Sequence, residues 1–120
     1  MIFTADTATY DMIDGAHVVG LAIDDGADGY LMLQRSGEDD PDDWGIYVEL
    51  NDQANSGYGL VRECRISRQT IEIDLSQPLA GATVIQVSLA VGDDAFGRFT
   101  EGLKAIFRDN QGQLRQSNAE

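Results

Sequence analysis

The feature that most restricts what this chain can fold into is a change of hydrophobic period late in the sequence. From His17 to Ala90, apolar residues recur at every second position, the mark of strands that bury one face. From Asp93 onward Phe96, Phe99, Leu103, Ile106 and Phe107 recur at every third or fourth position, so they line one stripe of a helix of about four turns. Strands followed by a single amphipathic helix give an α+β class.

Within the alternating region, His17, Val19, Leu21 and Ile23 share one side of a strand. Asp24 to Gly29 reads as a turn, because Asp and Gly tolerate left-handed backbone. Tyr30 to Arg35 is a second strand, and Ser36 to Asp43 a polar loop around Pro41. Ile46, Val48 and Leu50 mark a third strand with Tyr47 and Glu49 on its opposite face, and Asn51 to Gly59 has turn chemistry. Leu60 to Ile66 and Thr70 to Leu75 flank a short connection that fits a hairpin. Val84 to Ala90 supplies a further strand after Pro78 and Gly81.

These segments predict an antiparallel sheet of about six strands in a meander, with the C-terminal helix packed on one face. Asp93 is placed to cap that helix, and Lys104 and Arg108 suit its negative end. Gly97 and Gly102 each cost ~1 kcal/mol relative to Ala, which close packing on the sheet would explain. Residues 1–120 read as a single domain, with 109–120 a polar tail.

Charge narrows the function. The chain has 21 acids against 8 bases, a net charge of −13. Residues 1–57 hold 13 of the acids and only Arg35 as a base, whereas residues 58–120 hold 8 acids and 7 bases. A field of this sign repels nucleic acid and anionic membrane and attracts basic partners, and its concentration in one half suggests a charged contact surface. Met1 to Asp14 has neither a basic region nor an apolar run, so no secretory signal is read there. No stretch reaches the ~20 apolar residues of a membrane span. A lone Cys64 permits no internal disulfide, and a reduced, cytoplasmic location is the expectation.

Bond-making machinery is not evident. His17 is the sole histidine and lies among apolar neighbours, as a core-edge imidazole with one hydrogen-bond partner does. Cys64 reads as buried and inert. No phosphate-cradling glycine loop and no Gly-x-Ser-x-Gly turn occurs. Aligned to a calcium loop from Asp24, position 3 is Gly26 and position 12 is Arg35, which fails at two ligands. No cofactor or metal is expected, and the chain reads as a non-enzyme.

One segment gathers the unusual residues. The acidic run Glu38, Asp39, Asp40, Asp42 and Asp43 is followed by Trp44, the sole tryptophan, and then by Tyr47, Glu49, Asp52 and Tyr58. Aromatic residues beside a charged rim are the usual make-up of a binding hot spot, so these ten are the candidate partner-binding residues.

The stretch Trp44-Gly-Ile-Tyr-Val-Glu-Leu-Asn-Asp-Gln53, followed by Gly57-Tyr58-Gly59, the hairpin Ile66 to Ile71 and the helix Asp93 to Phe107, resembles the immunity proteins of bacterial polymorphic toxin systems, and among them the family numbered ten. The resemblance spans roughly residues 30–107; Tyr47, Glu49, Asn51, Asp52 and Gln53 carry it, and the first 29 residues do not. It implies a small cytosolic α+β protein that binds a cognate toxin domain and occludes its active site. Glu38 to Asp43 would then steer a basic toxin, with Trp44 and Tyr47 as anchors. Two other readings stay open: a self-associating assembly domain, and a small calcium-dependent enzyme.

Overall fold

The computed structural model describes residues 2–24 and 29–116. The described residues form ten strands and one α-helix: β1 (Ile2–Ala5), β2 (Thr7–Ile13), β3 (Ala16–Ile23), β4 (Gly29–Ser36), β5 (Tyr47–Leu50), β6 (Asp52–Tyr58), β7 (Val61–Ile66), β8 (Thr70–Leu79), β9 (Ala82–Leu89), α1 (Asp93–Ile106) and β10 (Leu114–Gln116). The α+β class with one C-terminal helix is as expected. The strands number ten rather than about six, and they build two sheets.

The first sheet runs β2-β3-β4-β5-β6 and is an antiparallel meander throughout. The second runs β1-β9-β8-β7-β10: its three central strands are antiparallel, and a short strand from each end of the chain adds a parallel edge. Turn chemistry fixes the registers. Asp14 and Gly15 both have positive φ, 51° and 81°, and close the β2–β3 hairpin; Ala80 and Gly81, at 50° and 81°, do the same for β8–β9.

The alternation seen in the sequence is the alternation of burial. Val19 and Leu21, Leu31 and Leu33, and Val48 and Leu50 face inward from the first sheet; Ile71, Ile73, Ile85 and Val87 face inward from the second. Both sets join Phe99, Leu103, Ile106 and Phe107 in one continuous core. Fully burying an aliphatic or aromatic side chain of this size is worth roughly 1.5–3 kcal/mol, so these rows carry much of the driving force for the fold.

The strands missing from the sequence reading have a common physical cause. β6 lies at a sheet edge, and Asp52, Gln53 and Ala54 are exposed, so the segment read as a turn has no apolar row to betray it. β2 is likewise an edge strand whose side chains are mostly exposed or half-buried. In the expected polar tail, a 3-10 turn at Gln111–Gln113 leads into β10, which pairs in parallel with β7 and adds an Arg115–Glu63 ion pair. Residues 117–120 lie outside the described residues, as do 25–28, which hold most of the turn and position 3 of the calcium-loop comparison.

The helix corrects two further expectations. Gly92, not Asp93, is the N-cap and offers no side-chain cap; Asp93 begins the helix and instead accepts hydrogen bonds from Arg68 at 2.8 and 3.1 Å. Gly102 is explained by packing, since a Cβ there would fall 2.3 Å from Val19 Cγ1 and 2.7 Å from the Tyr10 ring. Gly97 is not: it is exposed and a Cβ would meet nothing.

Candidate functional site

The acidic loop is built on a buried cation. Arg35, 7% exposed, donates from Nη1 to the Ile106 carbonyl at 3.0 Å, meeting the negative end of α1, and to Asn110 Oδ1 at 3.1 Å. Its Nε and Nη2 donate to Asp43 Oδ2 at 3.2 and 3.0 Å. Asp43 also accepts from Ser36 Oγ at 3.3 Å and from Arg108 Nη2 at 3.3 Å. The Arg35 hydrogen bonds, helped by the Gly45 N–H and by Arg108, hold the Asp43 carboxyl below the usual carboxylate range.

That anchor dictates where Trp44 goes. Asp43 Oδ1 accepts the Gly45 N–H at 2.9 Å, closing a turn around residue 44, and Gly45 supplies the φ of +89° that the turn needs. Trp44 is thereby turned away from the core and is 75% exposed. Its ring lies 6.1 Å from that of Tyr58, itself 51% exposed, and Tyr58 lies 5.2 Å from Tyr47. The three rings make a row on the outer face of the first sheet.

The other end of the loop is latched as well. Glu38 accepts from His17 Nε2 at 2.6 Å, and His17 Nδ1 lies 2.8 Å from the Tyr10 hydroxyl. Because a carboxylate only accepts, the neutral imidazole carries its proton on Nε2 and receives the tyrosine hydroxyl proton at Nδ1. His17 therefore has two partners rather than the one expected. The Glu38 carboxyl is lowered by its own backbone N–H first, then by His17. Gly37 lets the loop's entry pass the β2–β3 turn, since a Cβ would sit 2.7 Å from the Gly15 carbonyl oxygen.

Between these features the outer face of the first sheet is concave. A cleft of about 880 Å³ lies between the Asp14–Gly15 turn and the acidic loop. Ile13, Val18 and Met32 line it together with Trp44 and Tyr58, and Asp14, Glu38, Asp39, Asp40 and Asp42 border it. Asp14, Asp39, Asp40 and Asp42 have no ion pair among the described residues.

The ten candidate residues thus fall into different situations. Asp39, Asp40, Asp42, Trp44 and Tyr58 are exposed on the cleft. Glu38 borders it with its carboxylate tied to His17, and Asp43 is held beneath it. Glu49 accepts hydrogen bonds from Tyr30 and, at 2.6 Å, from Tyr47. Asp52 is exposed at the β5–β6 turn and accepts from the Ala54 N–H at 2.8 Å. Asn51, at φ 64°, accepts the Tyr30 N–H at 2.9 Å and so supports that turn. The cleft also takes in Ile13, Asp14, Val18 and Met32, which the sequence reading did not single out: Ile13, Val18 and Met32 lie on the outward rows of β2, β3 and β4, and Asp14 in the β2–β3 turn.

Cys64 is fully buried, and burial pushes its thiol up to about 12. Among the described residues, no three His, Cys, Asp or Glu converge as metal ligands, and no helix is long and apolar enough to cross a membrane.

A search of curated proteins finds no match to this chain. The family described as Immunity protein 10 matches residues 4–97. That match takes in the first strands, which the resemblance over residues 30–107 left out, and it ends inside α1. With more than three-quarters of its length matched, the chain belongs to the Immunity protein 10 family.

Proposed function

We propose that the chain neutralises a cognate toxin domain of a bacterial polymorphic toxin system by binding it and covering its active site, in the cytoplasm of a cell engaged in contact-dependent competition. The family supports the immunity role. The observation that carries the binding face is the juxtaposition of two exposed aromatic rings with carboxylates that lack internal cations. Unpaired acids favour a basic toxin surface and speed its encounter, while exposed aromatics that become buried supply the hold. Glu38, Tyr47, Glu49 and Asp52 flank these rings as polar surroundings, and Asp43 presents Trp44.

The same features oppose self-association through this face. A two-fold pairing would set one acidic rim against another, and Arg35, the base lining the cleft among the described residues, is already engaged by Asp43 and Asp109.

The test uses the toxin domain encoded beside this gene. Replacing Asp39, Asp40 and Asp42 with Asn is expected to slow association several-fold at low salt and much less at high salt. Trp44→Ala is expected to raise the dissociation rate more than tenfold and to abolish protection of cells expressing the toxin. Asp43 is left intact because its loss would disturb the loop itself. Unchanged kinetics in both variants would remove this face from the mechanism.

A further inference from the structure

The cleft has a definite shape and chemistry beyond the exposed rings at its edge. At about 880 Å³ it is far larger than one side chain and falls within the range that encloses a short segment or a sizeable ligand. Its floor is the outward row of β3 and β4, Val18 and Met32, with Ile13 at the hairpin end. Met32 is long, flexible and polarisable, a side chain that adapts to an apolar guest. The cleft is walled at one end by the close approach of Gly37 to the Gly15 carbonyl, and at the other by Trp44 and Tyr58.

Its electrostatics are one-sided. Among the described residues, the base lining it is Arg35, and that guanidinium is engaged by Asp43 and Asp109. Asp14, Asp39, Asp40 and Asp42 border the opening without ion pairs among the described residues. A guest bearing a carboxylate or phosphate would meet only repulsion. A guest bearing an ammonium or guanidinium group would meet carboxylates on the rim and the faces of two exposed rings, whose quadrupoles attract a cation. An apolar side chain next to that cation would find Val18 and Met32.

From this geometry we infer that the cleft receives a protruding segment of the partner protein, with an apolar side chain on the Val18–Met32 floor and an adjacent Lys or Arg against Trp44 and Tyr58. The inference rests on the toxin-binding reading above and specifies what the toxin presents. It also predicts that contact reaches across the sheet to β3 and β4 rather than stopping at the acidic loop.

The experiment measures the Kd of the neighbouring gene's toxin domain for the intact protein and for Met32→Arg, Gln34→Arg and Gln86→Arg. Gln34 also lines the cleft and is polar, so its replacement keeps the test open if Met32→Arg fails to fold. Gln86 lies on β9 of the other sheet and serves as control. Placing a cation in the cleft is expected to weaken binding at least tenfold at either position, and the control is expected to stay within twofold. Trp44, the sole tryptophan, gives a direct second readout: its emission should shift on binding the toxin domain. Overlapping peptides of that domain should shift it only where Lys or Arg adjoins an apolar residue. If Trp44→Ala weakens binding while both cleft variants bind as the intact protein does, the cleft is not the seat and the wider face survives. If none of the three weakens binding, both readings fall together.

Discussion

On the outer face of the second sheet, Arg65 lies among Glu63 at 3.4 Å, Asp74 at 2.9 Å and Glu72, and Arg115 reaches Glu63 at 2.7 Å. On the outer face of the first sheet, Asp14, Asp39, Asp40 and Asp42 have no such cation among the described residues, and the basic groups near them are engaged by Asp43 and Glu38. Both faces are rich in carboxylates. One has matched them with cations of its own, and the other, among the described residues, has not. The near-neutral balance of residues 58–120 and the strongly negative balance of residues 1–57 are the sequence image of that difference. Net charge alone would not separate the two faces; what separates them is whether each carboxylate already has its cation.

The sharpest way to break this contrast is to remove the cation from each face. Arg35→Ala leaves the Ile106 carbonyl and Asn110 Oδ1 without their donor and leaves Asp43 with Arg108, Ser36 and the Gly45 N–H alone; breaking a buried ion pair costs about 3–5 kcal/mol, and Arg108 should keep the loss toward the lower end. Arg65→Ala removes a more exposed cation whose partners solvent can reach, so its cost should be much smaller. Urea unfolding followed by circular dichroism measures both. Equal losses would mean that the Arg35 node is no more than a surface network, and that Trp44 is not held by a buried anchor.

A smaller effect tests the acids themselves. Asp40 Oδ1 accepts the Asp42 N–H at 2.8 Å, a bond that an Asn oxygen can also accept, so replacing Asp39, Asp40 and Asp42 with Asn should leave the melting temperature within about 2 °C, or raise it slightly by relieving like-charge repulsion. Replacing Asp74 with Asn on the other face should lower it, because the hydrogen bonds from Arg65 hold that carboxyl below the usual range and stabilise its charged form. A large drop in the triple variant would show that the loop acids are internally engaged and unavailable to a partner.

How far the sequence reached follows the same division between what is buried and what is not. Alternation in β3, β4, β5, β7, β8 and β9 was legible because each strand hides one row, and the helix because Phe99, Leu103 and Ile106 repeat with its turn. β1, β2, β6 and β10 were not, because these edge strands bury at most one or two apolar residues each, too few to form an alternating row. At the site, the acids beside Trp44 stood out by composition. That Asp43 differs from its neighbours did not, since its partners Arg35 and Arg108 are 8 and 65 residues away. Nor could spacing show that Gly102 seats the helix on Val19 and Tyr10 while Gly97 has no packing reason.

Glu49 offers the finest test, because it lies on the cleft-bearing sheet and, among the described residues, is engaged by tyrosine hydroxyls rather than by a cation. It accepts from the hydroxyls of Tyr30 and Tyr47, so its charge is stabilised by neutral donors. The consequence falls on the tyrosines. The hydrogen bond to Glu49, then burial, pushes Tyr30 up to about 12, and Tyr47 is raised by burial first and by Glu49 second. Because Tyr30 is raised above its unfolded value near 10, the stability it contributes is fully present below pH 10 and is lost as the pH climbs through about 12. In an alkaline titration followed by tyrosinate absorbance, Tyr30 should therefore ionise late, and Glu49→Gln should return that late component toward 10. A late component that persists in Glu49→Gln would place its cause in burial, and Glu49 would then join the carboxylates available to a partner.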